Sequence, residues 1–101
     1  MTRWRVLIAP DAEGQLLVAR SWWAANRQLA PDLFDREFDA AVAAIGNAPA
    51  TFLLYHCEHD VDVRRIHLPR TRYAVYFCIE SDHVLIVAVW HTARGSGPPV
   101  P

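Results

Sequence analysis

Arginine supplies all ten of the basic side chains other than histidine, and lysine is absent. Five of the ten lie within the last 38 residues: Arg64, Arg65, Arg70, Arg72 and Arg94. A guanidinium group donates hydrogen bonds in a planar fork that fits carboxylates and phosphates, so this half of the chain predicts contacts with an anionic target. For each arginine taken singly the alternative is ordinary charge on a solvated strand, and both interpretations stay open.

Arg64 and Arg65 are neighbours in a predicted strand, so their side chains point to opposite faces of a sheet. Only one of them can therefore belong to a given cluster. Arg70 and Arg72 flank a predicted turn, where the same two interpretations apply.

The histidines offer two further kinds of chemistry. His91 falls at the end of the last predicted strand, in register with Val87 and Val89, and it is either a catalytic base or a structural, hydrogen-bonded histidine. The run His56–His59 holds three types of metal ligand, but a closed zinc site needs four ligands and no second cluster has a matching spacing. We therefore expect neither a metal nor a cofactor.

Length and composition fit one soluble domain. The chain has 101 residues, of which 52% are hydrophobic and 21% charged, and we predict a domain over residues 1–95 with a flexible Gly/Pro-rich tail over 96–101. No apolar run approaches the roughly 20 residues of a membrane-spanning helix, and the N-terminal stretch is too short for a signal peptide. We expect a cytoplasmic protein, and the net charge of −1 predicts no overall attraction to nucleic acid.

Periodicity and stop signals predict six elements. In chain order they are a strand over Trp4–Ala9, a helix opened by Asp11 as N-cap, a second helix from Pro31 to about Gly46, and strands over Val61–Leu68, Arg72–Glu80 and His83–Thr92. Ala50–Asp60 has no clear period.

The element order β-α-α-β-β-β predicts an α+β fold, with a helical hairpin packed on one face of a mainly antiparallel four-stranded sheet. The last strands are apolar on both faces; in the last one, Ile86, Ala88 and Trp90 alternate with Val87 and Val89. A sheet face in water normally carries polar residues. A partner segment, a symmetry mate or the stretch 50–60 must therefore cover the second face.

Two stretches of the second half resemble ParE-like toxins of the RelE/ParE superfamily. Val63–Phe77 resembles their middle strands, and Val87–Gly95 resembles their last strand with the His-x-x-Arg that follows, here His91 and Arg94. The layout matches over nearly the whole chain, but the resemblance is specific only over Val63–Pro98. It implies the toxin of a type II toxin–antitoxin system, of the kind also described as plasmid stabilisation proteins. It also implies a hetero-oligomer with a cognate antitoxin encoded beside it.

The resemblance leaves the target open. ParE-like members inhibit DNA gyrase and need no hydrolytic site, whereas RelE-like members cut mRNA on the ribosome with cations and a general acid/base. The absence of lysine excludes a lysine-dependent site; an arginine/histidine ribonuclease site would consist of His91, Arg72, Arg65 and Arg94. A near-neutral chain fits ribosome binding poorly, so we expect a gyrase inhibitor rather than an enzyme. A non-toxic homologue that only binds antitoxin is a third possibility.

The two expected interfaces use different side chains. Target contacts are expected from the five arginines of the second half. Antitoxin contacts are expected from exposed members of an aromatic set, since buried aromatic anchors dominate interfaces: Trp22, Trp23, Tyr76 and Trp90.

Overall fold

Two helices and five strands make up most of the chain that the structure describes. The computed structural model describes residues 3–58, 60–93 and 97–98, and at positions 57 and 58 only the backbone. In chain order the elements are β1 (Arg5–Ile8), α1 (Pro10–Asn26), α2 (Leu33–Asn47), a 3₁₀ turn (Pro49–Thr51), β2 (Leu54–Glu58), β3 (Val61–His67), β4 (Tyr73–Ile79) and β5 (His83–His91). The predicted α+β class is confirmed.

The five strands form one mixed sheet in the order β1-β5-β4-β3-β2. β1 runs parallel to β5, and the other three pairings are antiparallel. The prediction of four strands was wrong because Leu54–Glu58 pairs with β3 through its backbone. Its register slips between Leu54 and His56, and such a bulge disrupts the two-residue period by which a strand is recognised in sequence.

A second bulge lies in β5. Tyr76 of β4 pairs with Ala88, whereas Phe77 pairs with Ile86, so Val87 is an extra residue with no partner on β4. One additional residue shifts every later side chain of the strand to the other face of the sheet.

This bulge overturns part of the predicted alternation. Ile86, Ala88 and Trp90 were expected on one face. Ile86 packs in the core on the helix side, whereas Ala88 and Trp90 belong to a cluster on the opposite face. Val89 consequently faces the helices.

Each helix begins two residues from its predicted position, α1 earlier and α2 later. α1 begins at Pro10 with Ala9 in the N-cap position, so the prediction of Asp11 as N-cap was wrong. Proline suits the first helical position because its φ is already fixed and its missing N–H would be unpaired there. α2 begins at Leu33 rather than at Pro31.

Both helices pack on one face of the sheet, each through one apolar stripe. The residues that they bury are Ala12, Leu16, Ala19 and Trp23 from α1, and Phe34, Phe38, Ala41, Ile45 and Gly46 from α2. Between the helices, the Arg20 guanidinium donates to Asp35 at 2.6 Å. Neither described helix is long and apolar enough to cross a membrane.

The chain itself fills much of the sheet face that the helices leave open, called the helix-free face below. Its buried members are Val63, Ala74, Tyr76, Cys78 and Ala88. Tyr55 of β2 packs edge-on against Tyr76 with ring centroids 4.8 Å apart. The stretch 50–60, one of the three candidates predicted to cover this face, therefore contributes Tyr55 to it. Of the predicted flexible tail, residues 96 and 99–101 lie outside the described residues.

Candidate functional site

A groove runs between α1 and the second half of β5. Its first part has a volume of about 530 Å³. Its second part, of about 490 Å³, shares Val18, Tyr73 and His91 with the first, so the two parts are continuous. The remaining residues that line it are Pro10, Asp11, Gly14, Gln15, Ala19, Val89 and Trp90 in the first part, and Trp22, Arg27 and Ala93 in the second.

An open strand edge borders this groove. β1 pairs with β5 only as far as Ile8↔Ile86, so β5 has no described strand partner on that side from Val87 onward. The Val89 N–H donates instead to the side-chain oxygen of Gln15 at 2.8 Å. One amide side chain thus occupies the position that a neighbouring strand's carbonyl would take.

The adjacent tryptophans predicted as antitoxin contacts have different surroundings. Trp22 is 44% exposed and lines the groove beside Val18, which is 67% exposed. The Arg27 guanidinium carbon lies 5.1 Å from the centroid of the Trp22 ring. Trp23 is only 8% exposed, and its indole N–H donates to the carbonyl of Ala30 at 2.8 Å. Trp22 is therefore the accessible member of the pair.

The other two predicted antitoxin contacts, Tyr76 and Trp90, belong to the cluster on the helix-free face. Tyr76 is 3% exposed within the chain. Trp90 is half-buried and also lines the groove at the open edge of β5.

The turn between β3 and β4, residues 68–72, carries two exposed arginines, Arg70 and Arg72. Glu37 of α2 accepts hydrogen bonds from the Arg70 N–H at 3.0 Å, from the Thr71 N–H at 3.0 Å and from the Thr71 hydroxyl at 2.9 Å. Arg72 has a left-handed φ of 63°. Its carbonyl accepts from both the N–H and the hydroxyl of Thr92 at 2.8 Å. Contacts on two sides therefore hold this turn.

Arg64 and Arg65 point to opposite sides of β3, as predicted. The Arg65 guanidinium carbon lies 4.9 Å from the ring centroid of Tyr55 and 6.0 Å from that of Tyr76. Arg64 donates to the carbonyl of Phe52 at 2.8 Å and so links β3 to the segment before β2. Arg65 consequently lies on the helix-free face.

His91 has structural contacts on the helix side of the sheet. Its ring packs edge-on against Tyr73 with centroids 4.9 Å apart, and Tyr73 in turn packs against Phe34 of α2. Its Nδ1 accepts a hydrogen bond from the Ala93 N–H at 3.1 Å.

Among the described residues proposed for a ribonuclease site, Arg72 and Arg65 have different positions relative to His91. Arg72 lies near His91, since its carbonyl bonds to Thr92, but Arg65 lies on the opposite face of the sheet from His91. Arg94, the fourth member, lies outside the described residues.

No group of three or more potential metal ligands occurs in the part of the chain that the structure describes. His59 and the side chains of Cys57 and Glu58, which belong to the His56–His59 run, are outside that part.

A separate cavity of about 250 Å³ lies at the end of the sheet beside the β2–β3 hairpin. Cys78 lines it together with Asp62 and Glu80. Burial raises the pKa of the Cys78 thiol, and the negative charges of Glu80 and Asp62 raise this pKa further.

The sequence analysis did not identify Gln15 and Glu37 as functional residues, although each is a polar residue at the helical spacing of buried apolar residues. Gln15 has the helical spacing of the stripe residues Ala12 and Ala19, and Glu37 has that of Phe34 and Ala41. A polar side chain within an apolar stripe faces the sheet or the loops beside it, where it needs a hydrogen-bond partner. Each of these two accepts from backbone N–H groups.

The fold and these surfaces define a small α+β domain with a groove along an open strand edge and an arginine-bearing turn. The sequence matches the family profile described as "ParE toxin of type II toxin-antitoxin system, parDE" over residues 6–95. The chain therefore belongs to this family and is a type II toxin of the RelE/ParE superfamily, as the resemblance predicted. A search of curated proteins finds no match. Membership of this family implies an antitoxin partner.

Proposed function

We propose that the protein inhibits DNA gyrase by binding to it, and that a cognate antitoxin holds it inactive. The observation that carries this proposal is the separation of Arg65 from His91 by the sheet. A general acid/base and the cations that stabilise a scissile phosphate must reach the same phosphate. A binding surface needs no such convergence.

The charge of the chain supports the same proposal. Proteins that bind the phosphates of nucleic acid gain affinity from many basic contacts. This chain has a net charge of −1, and two of its ten basic residues, Arg20 and Arg36, are paired with Asp35 and Asp32. A protein target is therefore favoured over ribosomal RNA, and a gyrase inhibitor would act in the cytoplasm.

The test is a supercoiling assay with purified gyrase and relaxed plasmid, titrated with toxin released from its antitoxin complex. We expect inhibition that added antitoxin reverses. The Arg36→Ala variant controls for the loss of one positive charge, because Arg36 is already paired with Asp32. This variant is expected to inhibit gyrase as the wild type does. Undiminished supercoiling at saturating toxin contradicts the proposal.

Two further assays with the same toxin preparation distinguish this proposal from the ribonuclease and from a non-toxic homologue. A ribosome-dependent mRNA endoribonuclease would cut ribosome-bound mRNA, and His91→Gln would abolish the cleavage because it removes the titratable ring. A chain that leaves both gyrase and mRNA intact and causes no growth defect would be a homologue that only binds antitoxin.

We propose that the antitoxin binds in the groove between α1 and β5 through an extended segment. A strand added to an open edge gains backbone hydrogen bonds along its length, and alternate side chains then enter pockets of the groove. The Gln15 amide would leave the Val89 N–H when the added strand takes its place. Half-exposed Trp22 is the proposed anchor, and the product is a toxin–antitoxin hetero-oligomer.

A further inference from the structure

A single carboxylate of α2 fixes the β3–β4 turn. Both oxygens of Glu37 are used: one accepts from the Arg70 N–H at 3.0 Å, and the other accepts from the N–H and the hydroxyl of Thr71 at 3.0 and 2.9 Å. Thr71 is 2% exposed. Surface turns are normally among the mobile parts of a domain, whereas this one is bonded to a helix that packs in the core.

The turn is held from its other end as well. The Arg72 N–H donates to the Leu68 carbonyl at 3.0 Å, and the Arg72 carbonyl accepts twice from Thr92. The φ of 63° at Arg72 lies in a region that residues other than glycine rarely adopt. Such a conformation persists only where the surroundings hold it.

The two guanidinium groups on this turn contrast with others in the chain. Arg5, Arg20 and Arg36 each pair with an aspartate. The side chains of Arg70 and Arg72 are exposed and have no ion-pair partner among the described residues. Two cations are thus presented to solvent on a backbone that hydrogen bonds hold on two sides.

We propose that Glu37 is a positioning residue, which holds the turn so that Arg70 and Arg72 together engage carboxylates on an acidic protein surface of the target. The inference rests on the proposed function, in which the toxin acts by binding. Ordering a loop on association lowers affinity, so a turn that is already ordered binds more tightly. Carboxylates are favoured over a nucleic-acid backbone because the net charge of −1 gives no overall attraction to phosphates.

A double-mutant cycle on the full chain tests this role. Glu37→Gln keeps the size of the side chain but loses its charge, and it replaces one acceptor by a donor. The Arg70→Ala/Arg72→Ala pair removes the arginines, and the triple variant combines both changes. We measure gyrase inhibition and growth arrest on induction, with Asp39→Asn as control because Asp39 is an exposed acid of the same helix.

Glu37→Gln is expected to raise the toxin level needed for half-maximal effect about tenfold, the size of a lost charge-assisted contact. In the background that lacks both arginines it is expected to add less than about twofold, since coupled residues are non-additive. Asp39→Asn is expected to act like the wild type. Antitoxin affinity is expected to stay the same in all variants.

Two outcomes overturn the role of Glu37: unchanged potency of Glu37→Gln, or an equal loss with and without the arginines, which would mean a general structural effect. If Glu37→Gln does not fold, Thr71→Val replaces it, with Thr71→Ser as the matched control that keeps the hydroxyl. If the wild type arrests growth without inhibiting gyrase, the gyrase proposal fails alone, and the cycle in growth arrest still decides on Glu37. A wild type that does not arrest growth contradicts both.

Discussion

Trp22 and Trp23 show how neighbouring residues of one type serve different purposes at the scale of single side chains. Successive helical positions are about 100° apart around the axis, so only one of the two can face the core fully. Trp23 does so, and its indole N–H is paired. Trp22 remains half-exposed beside Arg27, which leaves a large apolar ring available to a partner.

We therefore expect Trp22→Ala to weaken antitoxin binding by roughly 30-fold, or about 2 kcal/mol, as for an aromatic anchor at the centre of an interface. Leu17→Ala is the matched control, because Leu17 is 52% exposed on the same helix but does not line the groove. Titration calorimetry on the toxin–antitoxin pair measures both. Equal losses in the two variants would argue against the groove as the antitoxin site.

The thiol of Cys78 is expected to make the stability of the folded state depend on pH. Burial and then the charges of Glu80 and Asp62 raise the pKa of its thiol, so the folded state disfavours the thiolate. The resulting stability is fully present below the unfolded thiol pKa of about 8.5 and is lost as pH rises through the higher folded pKa.

Urea unfolding at neutral pH and at about pH 9.5 is thus expected to show a decline in the free energy of unfolding for the wild type. The decline is expected to be smaller in Cys78→Ala. The same slope in both proteins would show that other groups cause it.

The arginines of the candidate target surface were found in the sequence, but the residues that hold this surface were not. Arg70 and Arg72 stood out because arginine is recognisable by type. The role of Glu37 depends on a contact with a turn 33 and 34 residues away, and no local pattern encodes that distance. A polar residue within an apolar stripe indicates only that a partner exists.

At the scale of elements, periodicity and stop signals were sufficient to predict both helices, β3 and β4. The two errors in the sheet, a missed β2 and a wrong alternation in β5, have one physical origin, since each of these strands contains a bulge. A bulge adds one residue without changing composition, so alternation counted from sequence fails beyond it. The parallel pairing of β1 with β5 is a contact between the two ends of the domain, which local periodicity does not report.

The open edge of β5 leads to a prediction about Gln15. In Gln15→Ala the Val89 N–H loses its acceptor, and we expect a loss of about 1 kcal/mol in the free energy of unfolding. Amide hydrogen exchange at Val89 is expected to become faster. Gln28→Ala, at an exposed position after α1, is the control and is expected to change neither.

The same exchange measurement in the presence of antitoxin tests whether the antitoxin pairs with β5. If its segment pairs with β5, exchange at Val89 becomes slow again in Gln15→Ala, because a backbone carbonyl replaces the lost amide. Exchange that stays fast in the complex would place the antitoxin elsewhere.

At the scale of the whole molecule, the net charge of −1 leads to a prediction about the salt dependence of target binding. Affinity for gyrase is expected to fall by less than about tenfold between 50 and 200 mM salt, because few ion pairs form, whereas a protein with six to ten phosphate contacts loses about a thousandfold or more. Binding isotherms at the two salt concentrations measure this. A loss of a thousandfold would indicate recognition of DNA or RNA.

We propose that this toxin acts by binding and not by cutting. The most direct measurement compares wild type and His91→Gln in the gyrase supercoiling assay, with the melting temperature of each protein as the check on folding. We predict equal inhibition, because His91 packs against Tyr73 on the helix side and is not one of the arginines proposed to contact gyrase. A wild type that leaves supercoiling intact but cuts ribosome-bound mRNA, with the cleavage lost in His91→Gln, would contradict the account.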